Sequence, residues 1–136
     1  MKKIIIFCYV IFLQSCAFVP PKLSSNVQLP VEFKKVGYRD HYWEIGFDHF
    51  APLTIYKDRV VLKDDDVDMT ILFDSIKTIK YENPYHIELK NYIVIDYVEG
   101  RMDKKAYFTS MKNMGWTFST ARIYQYLVYA YENRKN

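Results

Sequence analysis

From residue 31 onward the chain is a succession of short apolar runs separated by polar residues. Runs rich in Tyr, Ile, Val and Phe predict β-strands at Tyr42 to Phe47, Leu53 to Tyr56, Arg59 to Leu62, Tyr85 to Leu89, Tyr92 to Tyr97 and Ala106 to Thr109. A longer strand is expected from Met69 to Phe73, running on through Ile76 to Tyr81, whereas residues 31 to 36 receive no element. Tight hairpins are expected at Lys57-Asp58 and at Lys90-Asn91, since short polar residues tolerate the backbone angles of such turns. Within Tyr92 to Val98, the alternate residues Ile93, Ile95 and Tyr97 are all apolar, and that face should meet the core.

Near the end the period changes. Ala121, Tyr124, Leu127, Val128 and Tyr131 recur at three- and four-residue steps, which places them on one helical face, and Ile123 and Tyr126 widen the stripe. Ser119 as N-cap, Phe118 as a hydrophobic staple on Ile123, and Arg134 with Lys135 at the C-terminal end delimit a helix from Thr120 to Asn133. The expected fold class is α+β and mainly β: a strongly bent antiparallel sheet or barrel of roughly seven strands with one C-terminal helix. An amphipathic helix suits such a sheet because it plugs the open end.

The first 30 residues follow another logic. Lys2 and Lys3 precede an apolar run from Ile4 to Leu13, ten residues long, which suits an export signal and is too short to span a bilayer. Leu13-Gln14-Ser15-Cys16 then resembles the lipobox of bacterial lipoproteins, with Gln14 departing from the usual small residue. That resemblance implies cleavage before Cys16, a diacylglycerol thioether on Cys16 and an acylated amine, and hence stable attachment to a membrane. Ala17 stands where aspartate would mark inner-membrane retention, so the resemblance implies the outer membrane, with the domain facing the periplasm. Residues 17 to 30, with Pro20, Pro21, Pro30, Ser24, Ser25 and Asn26, read as an extended tether with a reach of roughly 40 Å. The organisation is therefore a signal at 1–15, a lipidated tether at 16–30 and one globular domain at 31–136.

Composition narrows the function. Half of the residues are apolar and 18 % aromatic, enough to build a core and to argue against disorder. Both cysteines, Cys8 and Cys16, lie in the N-terminal segment, so the domain has neither a disulfide nor a thiol nucleophile. Without Lys2 and Lys3 the basic residues number 17 against 16 acidic ones, a net charge of +1 that lacks the basic excess of a nucleic-acid partner.

Catalytic and metal motifs are also missing. Asp64, Asp66 and Asp68 imitate the start of an EF-hand loop, but Met69 occupies the glycine position and Ser75 the position of the bidentate glutamate, which leaves a solvated loop. His41, His49 and His86 form no paired zinc spacing, and Asp40 and Asp48 point away from the histidines that follow them if the backbone is extended. There is no GxSxG, SxxK or glycine-rich phosphate loop, and nothing in the sequence brings Glu82 and Glu88 to a glycosidase separation. No cofactor is expected.

The pattern of strands and closing helix resembles the pleckstrin-homology-like superfamily, including its GRAM-type members. The stretches that carry it are Leu53 to Leu62, Ile71 to Ile76 with Ile79, and Phe108-Thr109-Ser110 ahead of the helix. A lipocalin-like barrel or cystatin-like sheet is the alternative. The phosphoinositide function of that superfamily does not carry over, because the first hairpin offers only Lys57-Asp58 and Arg59 and no basic cradle.

What these features leave is a non-catalytic, lipid-anchored module that binds an envelope protein or peptide. Tyr42, Tyr81 and Tyr85 are the candidate exposed rings, with Asn83-Pro84 forming a turn between the last two. Alternatives are an immunity lipoprotein against a periplasmic toxin, a structural envelope lipoprotein, and an envelope glycan or lipid hydrolase. Oligomeric state is not legible.

Overall fold

A computed structural model describes residues 19–24, 26–40, 49–82, 91–110 and 117–136. The elements in chain order are β1 Val31–Arg39, β2 His49–Ile55, β3 Arg59–Lys63, β4 Asp68–Leu72, a 3-10 turn Phe73–Ser75, β5 Ile76–Glu82, β6 Tyr92–Glu99, β7 Met102–Ser110 and helix α1 Thr117–Glu132. All strands join one antiparallel sheet in the order β4-β3-β2-β1-β7-β6-β5. The expected mainly-β α+β class is correct, and the sheet is open, with β4 and β5 as its edges. The expected strands Tyr42 to Phe47 and Tyr85 to Leu89 lie outside the described residues.

Connectivity alone shows how strongly the sheet curls. Seven strands at about 4.8 Å spacing would put flat edges roughly 29 Å apart. Yet the edge strands β4 and β5 are joined only by Phe73–Ser75, and the step from Leu72 to Ile76 spans at most about 14 Å. The sheet must fold over until its edges approach. Here the sequence reading fails, because it carried one strand through this stretch. Phe73 turns inward and is 1 % exposed, its N–H donates to the Asp58 carbonyl at 2.9 Å, and the Ser75 hydroxyl donates to the Leu72 carbonyl at 2.7 Å. These bonds stop the ladder and send the chain to the opposite edge.

The second device is a bulge in β1. Phe33 faces Leu53 and Val36 faces Ala51, so Lys34 and Lys35 together oppose Pro52 alone. Proline has no N–H for the ladder, and a bulge is where a strand accommodates one. Lys35 accordingly takes φ of 56°. The extra residue also switches parity: Val31 and Phe33 face the core before it, and Val36 and Tyr38 after it. Beyond the bulge, Val36 to Arg39 pairs with β7 while Val36 to Tyr38 also pairs with β2, so β1 belongs to both halves of the bent sheet.

The concave face holds the core, in which Leu53, Ile55, Leu62, Ile71, Phe73, Ile93, Ile95 and Phe108 are almost fully buried. Ile93, Ile95 and Tyr97 point inward as expected. Helix α1 closes the opening with Ala121, Ile123, Leu127 and Ala130, and half-buried Tyr124, Tyr126 and Tyr131 pack at the margins. The helix begins earlier than expected, at Thr117, which places Ser119 inside it and not at its N-cap. Its first turn is pinned to β7: the buried Thr120 hydroxyl accepts the Ser110 N–H at 3.0 Å and lies 3.1 Å from the Thr109 hydroxyl. At the other end the Arg134 guanidinium donates to the Tyr131 carbonyl at 2.6 Å, where a cation offsets the helix dipole. Among the described residues no helix is long and apolar enough to cross a membrane.

The Lys57-Asp58 hairpin forms as expected, with Ile55 opposite Val60 and the Tyr56 N–H donating to the Arg59 carbonyl at 2.9 Å. Lys90 of the expected Lys90-Asn91 hairpin lies outside the described residues; β6 pairs with β5, where Tyr92 stands opposite Glu82, and with β7.

Candidate functional site

The bulge in β1 opens a groove of about 750 Å³ between the first half of that strand and the start of α1. Lys34 and Lys35 stand on the strand side, Ser119 and Arg122 on the helix side, and Ser110 between them, with Glu32 as the one acidic side chain among the described lining residues. Phe33 and Tyr126 meet edge-on at 5.6 Å, and the Arg122 guanidinium lies 5.9 Å from the Tyr126 ring centre. These contacts hold the helix against the strand.

Most cations elsewhere on the described surface are paired. Lys22 pairs with Glu132 at 2.7 Å, Lys63 with Asp68 at 2.8 Å, Lys77 with Asp103 at 2.6 Å, and Arg134 with Asp74 at 3.3 Å; Lys104 pairs with Glu99. Lys80 and Lys105 share Asp96. Lys34, Lys35 and Arg122, like Lys57, Arg101 and Lys135, make no ion pair among the described residues, but these three gather at one depression. Such unmatched charges, beside a stretch of β1 with no second strand partner among the described residues, suit an anionic ligand electrostatically.

The convex face carries a different cluster. Arg39, Tyr92, Val94 and Tyr107 are each at most 5 % exposed. The Arg39 guanidinium donates to the Tyr92 hydroxyl at 3.1 Å and lies 5.3 Å from that ring's centre. A fixed charge out of water is costly unless it is hydrogen-bonded. Its position is set by register, since Arg39 stands opposite Tyr107 and Tyr107 opposite Val94. Arg39 ties the end of β1 to β6.

Lower on the same face, Asp96 organises three strands. Its carboxylate accepts the Thr78 hydroxyl at 2.6 Å and lies 3.1 Å from Lys105 Nζ and 3.8 Å from Lys80 Nζ. Partial burial pushes its pKa up, but the Thr78 hydroxyl, Lys105 and Lys80 outweigh this and hold it below the ordinary carboxylate range. A carboxylate with a depressed folded-state pKa stabilises the fold above its unfolded pKa, and the contribution vanishes as pH falls through the folded value. The difference in unfolding free energy between the wild type and Asp96→Asn should therefore be constant near neutrality and shrink as pH drops below the ordinary carboxylate range. Denaturant titrations across pH check this, and a difference that grows on acidification would refute it.

The acidic loop is a structural turn. The Asp64 carboxylate accepts the N–H groups of Asp66 and Val67 at 2.9 and 3.0 Å. Among the described residues no three His, Cys, Asp or Glu side chains are grouped as metal ligands. His49 stacks on Tyr38 with ring centres 6.3 Å apart. Cys16, Tyr42, Tyr85, His41, His86 and Glu88 lie outside the described residues. The expected exposure of Tyr81 is wrong: it is 6 % exposed, opposite Ile93 and 5.3 Å from Tyr124 in the core. Burial raises its hydroxyl pKa, against a hydrogen bond with Asn91. Tyr81 ends an inward-facing series with Ile79, and its place near a strand end did not free it.

The sequence reading missed Lys34, Lys35 and Arg39 because it placed no strand before Tyr42. A signal was present. The apolar residues Val31, Phe33, Val36 and Tyr38 alternate except for one extra position, which is how a bulge appears in a sequence.

Segment 19–23 also departs from a free tether. It has no regular structure but lies along α1: Gln125 Nε2 donates to the Pro21 carbonyl at 2.7 Å, and Lys22 reaches Glu132.

No protein-family model and no curated protein matches this chain.

Proposed function

We propose that the protein is a non-catalytic binding module of the bacterial envelope, pleckstrin-homology-like in architecture and anchored by lipid on Cys16 to the outer membrane. The observation that carries the binding reading is the groove where Lys34, Lys35 and Arg122 converge without an ion pair among the described residues. The seven bent strands and closing helix support the likeness of fold, and the sequence Leu13-Gln14-Ser15-Cys16 supports the anchor. Pro21 lies five positions after Cys16 and rests on α1. The free lead from lipid to domain is then roughly 17 Å, well short of the full tether, so the outer side of α1 sits near the bilayer.

Intact mass and membrane fractionation of the wild type beside Cys16→Ser test the anchor. The wild type should carry diacylglycerol and an acylated amine and sediment with membranes, whereas Cys16→Ser should be unlipidated and lose membrane association almost entirely. An unprocessed, unacylated wild-type chain would overturn the compartment and the anchor together.

A further inference from the structure

We infer that, granted a binding module, the groove between β1 and α1 takes an extended acidic peptide segment, which adds to the edge of β1 while its carboxylates meet Lys34, Lys35 and Arg122. Two independent features favour a peptide over a compact anion. The first is backbone. β7 pairs with β1 only from Val36 to Arg39, so on that side Val31 to Lys35 has no strand partner among the described residues, although it pairs with β2 on the other. At about 3.3 Å per residue this edge accommodates a segment of roughly five residues, whose main chain would supply the missing hydrogen bonds.

The second feature is the distribution of charge. Lys34 and Lys35 are adjacent and exposed at the bulge, and Arg122 faces them from the helix. Successive side chains of an extended peptide alternate in direction, so carboxylates at every second position would line one side and reach cations along the groove. A single phosphate would meet only part of this row. The left-handed backbone at Lys35 fits the same role, since it turns the strand there and brings the neighbouring lysines to the rim.

The test uses the full chain purified in detergent and a fluorescein-labelled peptide with alternating Glu and Val, read by fluorescence anisotropy. Its comparators are the Lys/Val counterpart, the Glu/Val peptide with alternate amides N-methylated, inorganic phosphate, and vesicles of anionic phospholipid. The acidic peptide should bind, the basic and N-methylated ones should not, and affinity should fall with added salt. Lys34→Glu with Lys35→Glu should weaken binding by about tenfold or more. Arg122→Gln should weaken it less. All three positions are exposed, so thermal melts close to wild type would tie these losses to the groove.

Equal binding by the double variant or by the N-methylated peptide overturns the inference. Displacement by phosphate, or tight binding to anionic vesicles without peptide binding, replaces it with a headgroup site. An envelope protein cross-linked equally well by the wild type and the double variant would also overturn it, while leaving the binding-module reading intact.

Discussion

Phe73→Ala should lower the unfolding free energy by about 3–5 kcal/mol, the cost of emptying a fully buried phenylalanine site, and the thermal midpoint by roughly 10–20 °C. Phe73 is 1 % exposed and belongs to the main core, where its ring meets Tyr131 of α1 edge-on with centres 6.0 Å apart. Its N–H is bonded to Asp58 at the tip of the β2–β3 hairpin. One residue thus joins the crossing between the sheet edges, the hairpin and the last turns of the helix. For a domain whose total stability is of the order of 5–15 kcal/mol, such a loss removes a large share. Phe73→Leu should recover much of it, because it restores apolar volume. Chemical denaturation of both variants checks this, and an alanine variant within about 1 kcal/mol of wild type would mean that the crossing is not held by this ring.

The second large effect is expected at Tyr92, one of the largest fully buried side chains and the acceptor for Arg39. Tyr92→Phe keeps the ring and removes the oxygen, which should cost about 1.5–3 kcal/mol because the lost bond serves a buried cation. Tyr92→Ala adds a cavity and should reach about 3–5 kcal/mol. Arg39→Met should be milder than Tyr92→Ala, because replacing a buried charge by an apolar chain of similar length avoids its desolvation. Midpoint shifts at unchanged denaturant dependence would show that the folded state is affected. If Tyr92→Phe is neutral, the Arg39–Tyr92 bond does not stabilise the join between β1 and β6.

Both sites show where a reading of the sequence stops. Each is built across elements distant in the chain: Phe73 meets Asp58 and Tyr131, and Arg39 meets Tyr92. Periodicity is local and reports which face of an element is apolar, but not what that face will meet. It placed Ile93, Ile95 and Tyr97 on the core side correctly and found the Lys57-Asp58 hairpin, where adjacent runs and their turn specify the pairing. It failed at Tyr81, since an apolar ring near a strand end is buried or exposed according to its neighbour, here Tyr124.

The candidate groove was half legible. The extra residue between Phe33 and Val36 and the proline at 52 are both visible in the sequence, and each signals an interrupted strand. That the interruptions face one another, and that Arg122 arrives from the helix 87 positions after Lys35, is a property of the fold alone.

By itself the sequence determined the mainly-β class and the closing amphipathic helix, because each follows from residue type and short-range spacing. It also raised the expectation of an anchor on Cys16. The tertiary structure alone decided the strand order, the break at Phe73, the burial of Arg39 and Tyr81, and the meeting at the bulge of three cations that have no ion pair among the described residues. Those depend on which surfaces the bent sheet brings together, and curvature of that kind arises from the whole set of pairings, not from any one segment.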